Sequence, residues 1–180
     1  MLIAISGPPG SGKTSVARKV AELSGMELVS GGMIFREMAK EKGISVIELN
    51  QIAEKDKNID YYVDNTLVKM AKLKDNAVFE SHLAGWLLRG VASYAVYLNA
   101  PIDVRSKRVA DRDNISPIQA LREIAKRELS HYVRFWELYG IDITDLSGFD
   151  LIISTEKLNI LKVAEIILSA IKSLNTGEQF

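Results

Sequence analysis

The sequence predicts an α/β fold: a five-stranded parallel sheet wrapped on both faces by helices. Three observations carry this. Five short apolar runs, at residues 2–6, 27–30, 77–80, 94–98 and 150–154, are separated by stretches with helical spacing. The first run, LIAIS, has no in–out alternation, the pattern of a strand covered on both faces. Strands that alternate with helices pair in parallel, because each crossover helix packs back onto the sheet.

The elements follow in order. After the first strand, Val16, Ala17, Val20, Ala21 and Leu23 recur at helical spacing, and Gly25 supplies a stop. The second strand, ELVS, precedes a helical stretch over 33–42 that ends at Gly43. Ser45 and Glu48 form an S-x-x-E capping box for a helix near 46–55, and another helix covers 59–74. The strands AVFE and YAVYL come next, then a helix started by Pro101. Ser116, Pro117 and Gln119 give the cap, first-turn proline and box pattern of a long helix to about residue 138. The last strand, DLIIS, leads to a final helix over 159–174, and 175–180 reads as a frayed tail.

At 180 residues the chain is expected to form one domain, with a helical insertion over about 31–75 and an arginine-rich lid over about 105–138. Lys and Arg total 23, as do Asp and Glu, so nothing global points to nucleic acid or a membrane surface. The absence of cysteine excludes disulfides, thiolate metal sites and a thiol nucleophile. No run approaches the roughly 20 apolar residues of a membrane helix, and the opening MLIAIS is too short for a signal peptide. The expectation is a cytoplasmic monomer with no membrane or nucleic-acid partner.

The chemistry begins at Gly7-Pro8-Pro9-Gly10-Ser11-Gly12-Lys13-Thr14, which fits G-x-x-x-x-G-K-S/T between a strand and a helix. Glycines let the backbone wrap so that N–H groups face phosphate oxygens, and the helix N-terminus adds its dipole. Lys13 is placed for the β- and γ-phosphates, Thr14 for Mg²⁺, and the stretch Gly7–Ser15 as a whole for the phosphates of ATP. No N-K-x-D motif is present to read guanine, which argues against a regulatory GTPase.

Six of the nine arginines lie between 105 and 134. Arg105, Arg108 and Arg112 share one helix face, and Arg127, His131 and Arg134 share another. Phosphoryl transfer is mostly positioning and charge neutralisation, so guanidiniums that close over phosphates are the parts it requires. The interleaved Asp111, Asp113, Glu123 and Glu128 leave solvated helix faces as the plainer alternative.

The segments ISGPPGSGKTSVAR, VSGGMIFREMA, VFESHLAGW, VYLNAPIDVRSKRVADRD and YGIDITDLSGFDLIIST resemble nucleoside monophosphate kinases, most closely cytidylate kinases of the archaeal type. The resemblance spans about residues 1–156. It implies an adenylate-kinase-like P-loop fold and transfer of the γ-phosphoryl of ATP to CMP and dCMP, with Mg²⁺ and an arginine clamp. By position it implies that Arg36, with Gly32 and Gly85 in the acceptor loops, binds the acceptor. Glu80 supports Mg²⁺ through water. Arg127 and Arg134 clamp the transferring group, and Arg112 lies near the donor nucleotide.

Two positions depart from the family pattern: His82 stands where relatives carry arginine, and Met33 where an acidic residue is expected. His82 keeps an acceptor-binding assignment, although a neutral imidazole supplies no fixed charge. Other acceptors (UMP, AMP, shikimate or a coenzyme precursor) remain alternatives, as does a nucleotide-binding switch without turnover. Asp60, Asp64 and Asn65 could read a base edge, with exposed helix residues the plainer reading.

Overall fold

The structure is a computed structural model that describes residues 1–175; the side chains of Ile47, Asn50 and Asn175 are not described, and most of the tail read as frayed lies outside this range. Five strands, β1 (Leu2–Ser6), β2 (Glu27–Ser30), β3 (Ala77–Glu80), β4 (Tyr94–Asn99) and β5 (Leu151–Ser154), form one parallel sheet in the order β2-β3-β1-β4-β5. The α/β fold expected from the sequence is therefore the observed one. β1 is central, so the loop that leaves it emerges over the middle of the sheet's carboxyl edge, where open α/β sheets bind ligands.

Successive residues of β1 serve opposite faces, as strand geometry dictates. Ile3 and Ile5 pack with Val16 and Val20 of α1 (Lys13–Ser24) and with Val163 and Ile167 of α8 (Ile160–Asn175). Leu2 and Ala4 pack with Phe79, with Leu67 and Ala71 of α4 (Asn58–Leu73), and with Ala84 and Leu88 around the one-turn helix α5 (Ala84–Leu87). This turn was not foreseen: four residues carry no side-chain cap and are too few for an apolar spacing to repeat.

Helices α2 (Gly31–Glu41), α3 (Val46–Ala53) and α4 enclose a small core of Met38, Ala39, Leu49, Ala53, Ile59 and Val63. The Ser45–Glu48 box forms in both directions, at 2.7 and 3.1 Å. Helix α2 starts two residues earlier than the sequence suggested. Gly31 lies inside its first turn, where a Cβ would come within 2.9 Å of the Ser81 Cβ. Gly31 therefore lets α2 pack closely against the loop that follows β3.

Beyond β4, α6 (Ile102–Asp113) and α7 (Pro117–Tyr139) pack through Val109, Ala110, Ala120 and Ile124. Ser116 caps α7 through Gln119 N, but the Gln119 side chain turns forward to Glu123, so only half of that box closes. Among the described residues, no helix is long and apolar enough to cross a membrane.

Candidate active site

The loop between β1 and α1 is braced from outside at four carbonyls. His82 meets Gly7 O at 3.2 Å, Arg105 reaches Pro9 O at 3.0 Å, Arg108 reaches Gly10 O at 3.4 Å, and Thr155 reaches Ser11 O at 2.9 Å. Gly10 (φ 79°) and Gly12 (φ 87°) adopt left-handed conformations that L side chains rarely take, and a Cβ on Gly10 would sit 2.7 Å from the Arg105 carbonyl. Gly12 caps α1 with no side-chain bond to its first amides. Those N–H groups, including the ones of Lys13, Thr14 and Ser15, are left for an anion. The loop is thus held in shape before any phosphate arrives.

Arg105 and Arg108 belong to this brace, which corrects the reading of an α6 face that closes over phosphates. Arg105 is buried, donates to Ala100 O and Pro9 O, and pairs with Glu128 at 2.6 Å. Arg108 holds Thr155 through its hydroxyl and carbonyl, at 2.9 and 2.6 Å. Arg112, expected near the donor nucleotide, lies exposed and is held bidentately by its neighbour Asp113 at 2.7 and 2.6 Å.

On the inner side, a cleft of about 260 Å³ is lined by Lys13, Gly31, Gly32, Phe35, Arg36, Asp60, Asp64, Glu80, His82, Arg127 and Arg134, among others. Among the described residues, Lys13, Arg36 and Arg127 line it without an ion pair or a hydrogen bond from their side chains. Burial pulls the Lys13 ammonium down to about 8; Glu80 opposes this, and Arg127, Arg112 and Arg105 add to it. Burial also lowers Arg127 from its ordinary range, with Arg112 contributing. Three cations on one cleft, none of them held by an ion pair, suit the binding of phosphate.

Glu80 ends β3 in register with Ile5 and Ser30. Its carboxylate accepts from Ser30 Oγ at 2.7 Å and from Thr14 Oγ1 at 3.2 Å. One hydroxyl and one carboxylate beside a phosphate loop suit Mg²⁺, which binds through few protein oxygens and keeps waters and substrate phosphates as its other ligands. Among the described residues there is no cluster of three His, Cys, Asp or Glu side chains to hold a metal independently.

Three acceptor-site expectations change. Because a carbonyl can only accept, the His82 contact commits Nδ1–H to Gly7, and the ring has no N–H left for phosphate while neutral. Burial, with Lys13, His131 and Arg127 nearby, holds its pKa well below the usual imidazole value. His131, whose ring centroid lies 4.3 Å away, is pushed down to about 3 by burial and by Arg127, Arg134 and Lys13. Gly85 faces no ligand space: a Cβ there would come within 2.5 Å of Phe149 Cζ, so the glycine admits that ring. Met33 is half exposed on the outer side of α2 and does not line the cleft.

Besides Glu80, the acidic groups in the cleft come from α4. Asp60 and Asp64 both line it, whereas Asn65 is exposed. Arg134, read as a clamp on the transferring group, is tied to the insertion, with Nη1 3.3 Å from Asp60 Oδ2 and 3.4 Å from Ala53 O. Tyr139 donates to Asp64 Oδ2 at 2.7 Å. The i, i+4 spacing of the two aspartates around Val63 was the available signal, but sequence does not say which side of α4 meets the cleft.

A larger, mostly apolar cavity of about 430 Å³ lies across the loop, between Trp86, Tyr97, Leu129, Tyr132, Phe135 and Ile143. It contains none of the three unpaired cations, and so the smaller cleft is the candidate phosphate site.

Comparison with known proteins identifies the family and the fold. The model of the cytidylate kinase-like family matches residues 2–157. The chain is 49% identical over 175 residues to a cytidylate kinase of Sulfolobus acidocaldarius, covering 97% of this chain and 96% of that one. It is 45% identical over 179 residues to a cytidylate kinase of Saccharolobus islandicus, covering 99% and 95%. The solved structure of a shikimate kinase from Acinetobacter baumannii superposes with a TM-score of 0.64 at 19% identity, covering 99% of this chain and 95% of that one, a likeness of fold alone.

Proposed function

From the premise that the chain belongs to the cytidylate kinase-like family, as an ATP-dependent nucleoside monophosphate kinase, we propose that it transfers the γ-phosphoryl of ATP to CMP and dCMP. The observation that carries this reading is the trio of unpaired cations, Lys13, Arg36 and Arg127, converging on one cleft from the phosphate loop, the insertion and the lid. A donor triphosphate lies along Gly7–Ser15 with Lys13 at its β- and γ-phosphates. The acceptor's phosphate meets Arg36 and Gly32 from the opposite side. Arg127 neutralises the group in transit.

An oxygen of the CMP phosphate attacks the γ-phosphorus, and the bond from that phosphorus to the β–γ bridging oxygen breaks, which releases ADP and forms CDP. The second pKa of a phosphate monoester is about 6, so the attacking oxygen is already ionised at neutral pH. No general base is required, consistent with His82 and His131 both lacking basicity. Thr14 would hold Mg²⁺ directly and Glu80 through water, where the ion neutralises phosphate charge. Ser30 fixes the Glu80 carboxylate for that task.

The test is ADP formation from Mg-ATP with CMP, dCMP, UMP, AMP or shikimate offered separately at equal concentration. Turnover with CMP and dCMP well above the others is expected. A marked preference for AMP or shikimate would refute the acceptor assignment.

A further inference from the structure

We propose that the outer face of α7 is the contact surface of a symmetric dimer, in which two copies of this chain pack their α7 helices antiparallel. This departs from the monomer expected on the sequence. Ile118, Leu121, Leu129, Tyr132, Val133 and Trp136 are all exposed, Ile118 by 65% and Leu129 by 67%. At 3.6 residues per turn the six fall on one stripe, about 120° wide and about 27 Å long. Ala120, Ile124 and Phe135, buried against the rest of the fold, lie on the other side of the helix, as do Arg127, His131 and Arg134 of the cleft. A helix apolar on both sides has the pattern of one covered on both. A contiguous exposed patch of this extent marks an interaction surface, and a partner seated on it leaves the cleft open.

The charges beside the stripe name the occupant as a second copy. Lys126 and Glu137 flank the stripe on the same side, with Tyr132 midway between them along the helix. A two-fold axis beside Tyr132 brings Lys126 of each copy to Glu137 of the other, twice per dimer. Parallel packing would instead set like charges against each other. Charges that flank a helical seam decide partner and orientation in this way. The two side chains are 77% and 50% exposed, and their present partners, Glu54 at 3.8 Å and Lys57 at 2.7 Å, are exposed as well, so the four charges can share one network. The same axis sets Trp136 of one copy against Leu129 of the other. Leu129 and Tyr132 also line the apolar cavity of about 430 Å³, so the stripe continues into a recess beside that contact. Covering six such side chains on each copy removes on the order of 1,200 Å² from water, the lower bound of a specific interface. One patch that matches itself is what a two-fold dimer requires.

Sedimentation velocity of the full chain from about 1 to about 200 µM spans the affinities open to an interface of this size and should show a shift from one to two chain masses. Leu129→Glu and Trp136→Glu, both at exposed positions, should sediment as monomers with unchanged far-ultraviolet circular dichroism. Lys126→Glu should raise the dimer Kd at least about tenfold, and the charge-swapped double variant Lys126→Glu/Glu137→Lys should bring it back. Because the chain holds no cysteine, Val133→Cys and Ile118→Cys report the orientation. A short bismaleimide should join two copies through the first, which lies near the axis. It should not join them through the second, whose two thiols stand about 40 Å apart in the antiparallel pair. If either glutamate variant does not fold, the cross-linking decides. A chain that is monomeric at every concentration, a dimer indifferent to both glutamate variants, a double variant no better than Lys126→Glu, or cross-linking through Ile118→Cys would each overturn the proposal.

Discussion

Replacing Lys13 with methionine should abolish transfer and yet stabilise the free protein. The ammonium sits partly buried among cations, and its pKa falls from 10.5 to about 8. A fall of that size means that the folded state disfavours the charged form by about 3 kcal/mol, or about 2–3 after allowance for its partial solvation. Methionine keeps the length of the side chain and removes the charge, while Glu80 retains its bonds from Ser30 and Thr14. For a chain of this size each kcal/mol moves the melting temperature by roughly 2–4 °C, so Lys13→Met should melt roughly 4–12 °C higher at neutral pH.

The sign can be checked against pH. Between about 8 and 10.5 the unfolded chain binds more protons at this position than the folded one, so wild-type stability gains from Lys13 as pH rises through that window, and the variant loses this gain. Nucleotide reverses the ranking: at a thousandfold excess over Kd, ATP should stabilise the wild type by about 4.1 kcal/mol and the variant far less. Differential scanning calorimetry with and without a non-hydrolysable ATP analogue measures both effects. A Lys13→Met protein that melts below wild type without nucleotide would refute the reasoning.

Three further outcomes follow from the brace and the cleft. Arg105→Ala, which strands Glu128 and two backbone carbonyls, should cost about 3–5 kcal/mol in urea unfolding and raise the KM for ATP; an unchanged midpoint would contradict the brace. Gly85→Ala drives a methyl into the Phe149 ring, which packs on Trp86 at 4.7 Å and Tyr97 at 5.3 Å, and should cost about 1–3 kcal/mol by the same assay, whereas neutrality would show that the ring yields freely. Proton NMR of the His82 and His131 rings should show no protonation between about pH 5 and 8, where a free imidazole titrates, and a midpoint near 6.5 in either would contradict their burial.

The fold was legible because it depends on local patterns. LIAIS reads as a two-sided strand, Gly7–Thr14 as a phosphate loop, and Ser45–Glu48 as a cap, each set by neighbours in sequence. The partition of the arginines was not legible. Arg105, Arg112 and Arg127 look alike in sequence. One is buried against Pro9 O and Glu128, one is held by Asp113, and one is unpaired in the cleft, which only tertiary contacts decide. The same holds for Gly85, whose reason is a ring 64 residues away, and for Asp60, whose partner comes from a different helix.

The most direct test of the central claim follows the phosphoryl group itself. Incubating the enzyme with Mg-ATP labelled at the γ-phosphorus and with CMP should place the label in the terminal phosphate of CDP, one for each ADP formed. Label released as inorganic phosphate, at a rate indifferent to CMP, would mean that the cleft holds nucleotide without delivering its phosphoryl group to an acceptor, and the account would fail.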